Sequence, residues 1–346
     1  VDHPEETTLE LVIGPMSLPA GGAHFRPPVQ LATLPIEGWL HGFRWEMRDA
    51  RGAPLPDRVL HHVNLIDPDR RELFAPIPRR VMAAGRETSA ERMPGVLGYP
   101  VEAGTRVLIS AMFAGLEARS IDAAYLHLRL DYTPKHDPGL IRPREVYPFY
   151  LDVMGPVGEK EFSLPPGEHG RSWEGSPAID GRILAIGGHL HDYARWIRLE
   201  DVTTGDVLWE TEPERSPEGR VVGVPTARLW WRGGIRIHRD HVYRISVLYR
   251  NPSDAPAPDG AMGALGGILL ADRAEWPELD RTDVAYVTDL RNTLEKPNQA
   301  HDHAMGVMED PGDADGAKAA PRHEHGRGAD GRDDGAPPDG AGAARR

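Results

Sequence analysis

Apolar and polar residues alternate in short runs along most of the chain, and Pro or Gly separates one run from the next. Alternation with a period of two places every second side chain on the same face, which is the pattern of a half-buried β-strand. Turn residues recur roughly every 8 to 12 positions, a spacing typical of antiparallel sandwiches. Runs with the period of an amphipathic helix are scarce. The pattern therefore predicts an all-β protein.

Two blocks of such runs are separated by a polar, proline-rich stretch. The first block covers residues 8–134 and the second covers residues 150–272. Residues 135–149 between them contain the sequence KHDPGLIRPRE, whose composition suits a connection between domains. We expect two tandem antiparallel β-sandwich domains joined by this linker.

The chain changes character after residue 272. Residues 273–297 form an extension that has room for a short helix or two. Residues 298–346 are rich in Gly, Ala, Asp and Pro and offer almost nothing to bury, so that we expect a disordered tail. The tail contains the histidine clusters HDHAM and HEH, but an unstructured segment provides no fixed ligand geometry. At most, we expect these clusters to scavenge a metal ion without a defined site.

Length and charge narrow the class of protein. The 346 residues, 40% of them hydrophobic, are enough for two domains, because a single core rarely grows past about 250 residues. The net charge is -13 and no stretch concentrates Lys and Arg, which disfavours nucleic acid as a partner. Apolar runs such as GALGGILLA fall far short of the ~20 residues of a membrane span, and we expect none.

The chain has no cysteine, which restricts any metal site to His, Met, Asp and Glu ligands. On a strand, His189 and His191 of GGHLH point to the same face about 6.6 Å apart and could share one ion. The alternative is a pair of core or exposed strand histidines. His61 and His62 of VLHHVNL point to opposite faces. One ion can take both only where the strand is bulged or ends.

The order of these motifs resembles that of the copper type II, ascorbate-dependent monooxygenases, the family of peptidylglycine α-hydroxylating monooxygenase and dopamine β-monooxygenase. VLHHVNL lies in the first block, HLH lies in the second, and a methionine in a Gly-rich turn, DGAMGALGG, follows. GYPV before a strand, SLPPGE before the HLH strand and YRISVLYRNPSDAPAPDGAMG add to the likeness, which covers residues 8–272. It implies two jelly-roll-like sandwiches and up to two copper ions. The disulfide cysteines of the animal enzymes are missing.

The resemblance implies roles for particular residues in the second domain. His189, His191 and Met262 match the ligands of the oxygen-activating copper and form the predicted catalytic group. A thioether suits Cu(I), and imidazole suits both oxidation states of copper. The alternative for Met262 is that it fills a gap in the core.

In the first domain, His61 and His62 match two ligands of the electron-supplying copper. Met112 falls where the family has a third histidine, a departure that would favour the reduced ion and raise its potential. His127 on the next strand is an alternative third ligand. Isolated histidines, among them His24, have no partner at ligand spacing along the sequence.

The resemblance also implies an external reductant, such as ascorbate, and an unidentified small-molecule or peptide substrate. The carboxylate clamp of the peptidylglycine enzymes falls at Gly187, Ala264 and Gly266, which have no polar side chain. Peptide amidation is therefore not expected.

The sequence leaves two functions open. One is a copper-dependent monooxygenase that hydroxylates a C–H bond with O2. The other is a non-catalytic copper protein for storage, delivery or sensing, in which Met112 and the missing clamp mark lost catalysis. Such copper proteins usually work outside the cytoplasm, so we expect a secreted or periplasmic location, with the signal peptide absent from the chain as given. No GxSxG, P-loop or HExxH motif supports hydrolase, nucleotide-binding or zincin chemistry.

Overall fold

The computed structural model describes residues 7–295, apart from residues 22–23, 86–87, 89, 117–118 and 274. β-Strands dominate this part of the chain, and nearly all of them pair in antiparallel fashion. The predicted all-β fold is confirmed. The predicted tail at residues 298–346 lies outside the described residues.

Two sheets form the first sandwich, with strands numbered in chain order. The outer sheet contains β1 (Thr7–Leu18), β4 (Gly38–Asp49), β7 (Ala90–Arg92), β8 (Leu97–Val101), β10 (Ile121–Pro134) and β11 (Arg144–Glu145). The inner sheet contains β2 (His24–Phe25), β3 (Gln30–Thr33), β5 (Leu60–Arg71), β6 (Pro78–Gly85) and β9 (Arg106–Ala114). A short 3-10 helix (Asp57–Val59) leads into β5.

The strand order in the first sandwich is that of a jelly roll. The outer sheet runs β1-β10-β4-β8-β11 and the inner sheet runs β2-β9-β5-β6, so that successive strands cross between the sheets. Alternation along the strands builds the core: Leu126 and Leu128 on β10 are fully buried, whereas His127 between them is not. Part of the predicted linker is also a strand, because β11 pairs in parallel with β8.

The second sandwich repeats this arrangement. Its inner sheet contains β12 (Tyr147–Asp152), β13 (Glu161–Leu164), β15 (Gly181–Leu190), β20 (Ala227–Arg228), β21 (Ile235–Ile237) and β23 (Ala257–Ala271). Its outer sheet contains β14 (Gly167–Gly175), β16 (Ala194–Asp201), β17 (Asp206–Thr211) and β22 (Tyr243–Asn251). A small hairpin, β18 (Glu214–Arg215) with β19 (Val221–Gly223), completes it.

A separate cluster of buried residues fills the second sandwich. The order of its sheets is β12-β23-β15-β20 and β14-β22-β16-β17. On β22 the side chains of Tyr243, Ile245, Val247 and Tyr249 alternate into this core and are almost completely buried. A smaller apolar cluster of Leu97, Val146 and Leu184 combines residues from both sandwiches.

The Gly-rich segment around Met262 is a strand, and the predicted turn there is wrong. β23 pairs with β12, β13 and β15, so its glycines serve close packing between strands. A Cβ atom on Gly267 would lie 2.2 Å from the carbonyl oxygen of Ala185 on β15. One on Gly263 would lie 2.5 Å from the Val247 side chain in the core. Only glycine allows these approaches without displacing a neighbour.

Among its described residues, the extension contains α1 (Val284–Glu295), where the sequence left room for a short helix. The buried carboxylate of Asp289 pairs with Arg80 on β6 at 2.6 Å, and the Tyr286 hydroxyl donates to the carbonyl of Pro68 at 3.0 Å. These contacts fix the helix against the first sandwich. Within the described part of the chain, no helix has the length and apolar character required to cross a bilayer.

Candidate metal centre

A cavity of about 530 Å³ separates the inner sheets of the two sandwiches. Its lining includes five of the six residues that the sequence predicts as ligands, namely His61, His62, Met112, His189 and Met262. The first three come from β5 and β9, and the other two come from β15 and β23. Residues more than 100 positions apart in the sequence, such as His61 and His189, therefore line the same cavity.

A β-bulge explains how both adjacent histidines face this cavity. Leu60 pairs with Phe113 and His62 pairs with Met112, so His61 is the extra residue between two successive pairs. The Nδ1 atoms of His61 and His62 lie 2.9 Å apart. The bulge is the condition under which one ion can take both imidazoles.

His24 is a third imidazole at this site, which the sequence did not indicate. Its strand β2 pairs with β9, placing His24 opposite Ala114, on the other side of β9 from β5. The ring centroids of His24 and His61 are 4.6 Å apart. Because β2 has only two residues and no periodic pattern, nothing in the local sequence signals this approach.

Met112 and His127 occupy different environments. Met112 lies directly opposite His62 across β5 and β9, so the two side chains share one face of the sheet. His127 lies on β10 in the outer sheet, where its Nδ1 atom is 3.2 Å from the Glu10 carboxylate. It points away from the core, on the opposite face of β10 from the buried Leu128, and it is not part of the cavity lining, which excludes it as the third ligand.

Strand register brings the second set of predicted ligands together. His189 pairs with Ala264 and Leu190 pairs with Gly263, so the next position places His191 opposite Met262. Leu190 and Leu265 point into the core, and His189 and Met262 alternate with them toward the cavity. The His189 and His191 ring centroids are 5.2 Å apart.

The Tyr249 hydroxyl joins the backbones of two of these residues. It accepts hydrogen bonds from the amides of His191, at 3.1 Å, and Met262, at 3.2 Å, and it donates to the Met262 carbonyl. Tyr249 is fully buried, and desolvation raises its pKa to about 12. The neutral hydroxyl can therefore both donate and accept at any physiological pH.

A buried carboxylate lies in the same row of side chains as His189. Asp152 pairs with Ala264, which pairs with His189 on the next strand. The Asp152 carboxylate accepts hydrogen bonds from the Tyr150 hydroxyl at 2.5 Å and from the Met154 amide at 2.8 Å. Burial raises its pKa, an effect that Lys160 and His189 oppose. Carboxylates near metal-binding imidazoles commonly orient the ring.

Charged groups also reach the cavity, although the three positions of the family's clamp do not supply them. Gly187, Ala264 and Gly266 all line the cavity, with no polar side chain. Arg26 and Glu161 line it too, and desolvation lowers the pKa of Arg26 while Glu161 opposes the shift. Polar contacts to a bound ligand would therefore come from residues other than these three.

The ligand types of the two predicted sets are those that copper prefers. The first combines imidazoles of His24, His61 and His62 with the Met112 thioether, and the second combines His189 and His191 with the Met262 thioether. Thioether sulfur favours Cu(I), whereas hard ions such as Mg²⁺ require oxygen ligands, which neither set provides.

The chain matches no family model and no curated protein. Among solved structures, "Crystal Structure of the STIV MCP" has 9% identity and a TM-score of 0.40, with 78% of this chain and 96% of that chain covered. "Structure of PNGF-II in C2 space group" has 10% identity and a TM-score of 0.39, with 79% and 66% covered. PBCV-1 VP54 has 9% identity and a TM-score of 0.30, with 78% and 94% covered. Likeness at this level carries no argument about function.

Proposed function

We propose that the chain is a copper-dependent, monooxygenase-like protein that holds one copper ion in each sandwich. One observation carries the proposal: imidazole and thioether groups from both inner sheets line the same cavity, namely His24, His61, His62, Met112, His189 and Met262. Five of these six residues, all except His24, are ligands that the motif order in the sequence predicts.

Each set would have its own role. His189, His191 and Met262 would hold the copper at which oxygen is activated. His61 and His62, with Met112 and His24, would hold the copper that relays electrons. Three imidazoles in the relay set offset the bias toward Cu(I) that Met112 alone would give.

Bound copper would supply one-electron redox chemistry. In the overall reaction, a C–H bond, O2, two protons and two electrons from ascorbate or another donor would give C–OH and one water molecule. The chain contributes the surroundings of that chemistry. Phe149, Ile186 and Ile268 give the cavity apolar walls that limit the access of water. Tyr249 holds the backbone of His191 and Met262 at fixed spacing.

The substrate would be a small molecule or a short peptide segment. Cavities of about 300–1,000 Å³ bind ligands of this size, and the cavity here has about 530 Å³. The small residues at Gly187, Ala264 and Gly266 argue against recognition of a terminal carboxylate at that place. We further propose a secreted or periplasmic location, which cell fractionation with an antibody to the chain would test.

The second candidate function is non-catalytic copper storage, delivery or sensing. The observation that favours it is the lack of a polar group at all three positions of the family's substrate clamp. In this case both ligand sets would bind copper without oxygen turnover.

Copper stoichiometry of the full chain separates these functions. Protein loaded anaerobically with Cu(I) and dialysed would be compared by elemental analysis with His189→Ala and His61→Ala, and with His136→Ala, an exposed control. The tail histidines are present in all four proteins. Differences in copper content between the proteins therefore reflect the loss of ligands in the cavity. We expect each cavity variant, but not the control, to lose one ion.

Oxygen consumption with ascorbate decides between the two candidates. Consumption that depends on both His189 and His61 supports the monooxygenase, and copper binding without it supports storage or delivery. Equal copper content in all four proteins would eliminate both.

A further inference from the structure

The far end of β15 carries another group of metal-ligating side chains. Asp180 precedes the strand, about 30 Å from His189 at 3.3 Å per residue. Ligand atoms of Asp180, His238 and Asp240 all lie within 4.8 Å of one another. This cluster, which we call the Asp180 cluster, is outside the cavity lining.

The pairing of β15 with β21 brings two residues of the cluster together. Gly181 pairs with Ile237, so the preceding residue Asp180 lies opposite His238 where β15 and β21 meet. A turn follows, closed by a hydrogen bond of 3.1 Å from the His241 amide to the His238 carbonyl, and it returns Asp240 to the same end of the sheet. The Arg239 amide donates to the Asp180 carboxylate at 3.0 Å and orients it toward the turn.

The spacing suits a bound ion better than a direct hydrogen bond. His238 Nδ1 and Asp180 Oδ1 are 4.0 Å apart, which is too long for a hydrogen bond. Tetrahedral ligands at 2.0–2.1 Å from Zn²⁺ stand roughly 3.3 Å from one another. Small side-chain rotations at these partly exposed residues would reach that separation.

His241 lies beside the cluster. Its ring centroid is 4.9 Å from that of His238, and its Nδ1 atom is 2.7 Å from the buried carboxylate of Asp201. The Asp201 carboxylate thereby fixes the ring of His241 at the edge of the cluster.

We propose that Asp180, His238 and Asp240 form a binding site for a divalent transition-metal ion of the Zn²⁺ type. Two carboxylates and one imidazole without a thiolate are borderline donors that suit Zn²⁺. Three protein ligands leave one tetrahedral position for water. The ion would tie the start of β15 to the turn before β22. This site does not depend on the proposed copper function.

Zinc content of the full chain and anomalous diffraction from zinc-soaked crystals test the site. His238→Gln and Asp240→Asn remove ligands, and His136→Gln is the matched control. Asp180 is left unchanged because its carboxylate also holds the Arg239 amide. Zinc bound elsewhere, including the tail and the cavity, is common to all the proteins and cancels in the comparison.

We expect both ligand variants to bind one zinc ion fewer than the wild type and the control. We also expect an anomalous peak among Asp180, His238 and Asp240, and a smaller zinc-induced rise in Tm for the two variants. Equal zinc content in all proteins, or crystals with anomalous peaks only elsewhere, would overturn the proposal. Neither result would alter the copper stoichiometry of the His189 and His61 variants.

Discussion

The buried Tyr249 hydroxyl is hydrogen-bonded to both the amide and the carbonyl of Met262. It also accepts a hydrogen bond from the His191 amide. A residue of the outer sheet thus fixes the spacing between two predicted ligands of the inner sheet. The backbone at the second site is consequently set by the core of the sandwich, before any ion binds.

Tyr249→Phe should reduce both stability and copper binding. The variant leaves two buried amides and a carbonyl without this partner, at a cost of about 1–3 kcal/mol. It should also weaken the Cu–S contact of Met262, visible in X-ray absorption of the Cu(I)-loaded protein. Tyr125→Phe, at a partly exposed ring, is the control for urea denaturation and absorption. A Cu–S signal equal to the wild type would show that Tyr249 does not position Met262.

His24→Ala should impair the first site. Because His24 lies beside His61 and is only half-buried, we expect native stability and a loss of copper affinity of about tenfold or more, as when groups around a metal are removed. Competition with a Cu(I) chelator measures the affinity, and His136→Ala is the control. Affinity unchanged in His24→Ala would restrict the first site to His61, His62 and Met112.

Met262→Leu should change the affinity for Cu(I) more than the affinity for Cu(II). The substitution conserves volume, so the fold should survive at a cost below about 1.5 kcal/mol. Loss of the thioether should weaken Cu(I) by about tenfold or more and leave Cu(II) little affected, since imidazole serves both states. Met47→Leu, in the core of the first sandwich, is the control. Equal Cu(I) affinity in Met262→Leu would exclude thioether ligation.

Adjacent glycines on β23 should respond differently to alanine. Gly267→Ala would place Cβ 2.2 Å from the Ala185 carbonyl and should destabilise the fold by about 1–3 kcal/mol through strand displacement. Gly266→Ala would make only an ordinary contact, at 3.5 Å from the Phe149 carbonyl. Thermal denaturation of both variants provides the test. Similar Tm values would mean that β15 and β23 can move apart at little cost.

Several features of the site were accessible from the sequence. The HLH spacing alone places His189 and His191 on one face, because side chains alternate along any strand. The same rule states that His61 and His62 share an ion only at a bulge, and the structure has one there. Motif order predicts Met262 as a ligand, although the glycines around it suggested a turn in place of a strand.

Other features depended on contacts between distant segments. His24 reaches His61 only because β9 brings β2 and β5 into one sheet. His127 is excluded because it lies on the face of β10 that points away from the core. Tyr249 looks like any core aromatic in the sequence. Its role arises from packing of the outer sheet against the inner one.

The sequence by itself therefore determined the all-β class, the positions of many strands and the shared face of His189 and His191. These follow from local periodicity, which depends on backbone geometry within one strand. The tertiary structure decided which faces meet across the cavity, where the bulge falls and which groups surround each ligand. Those depend on strand register and sheet packing, which are set by residues far apart in the chain.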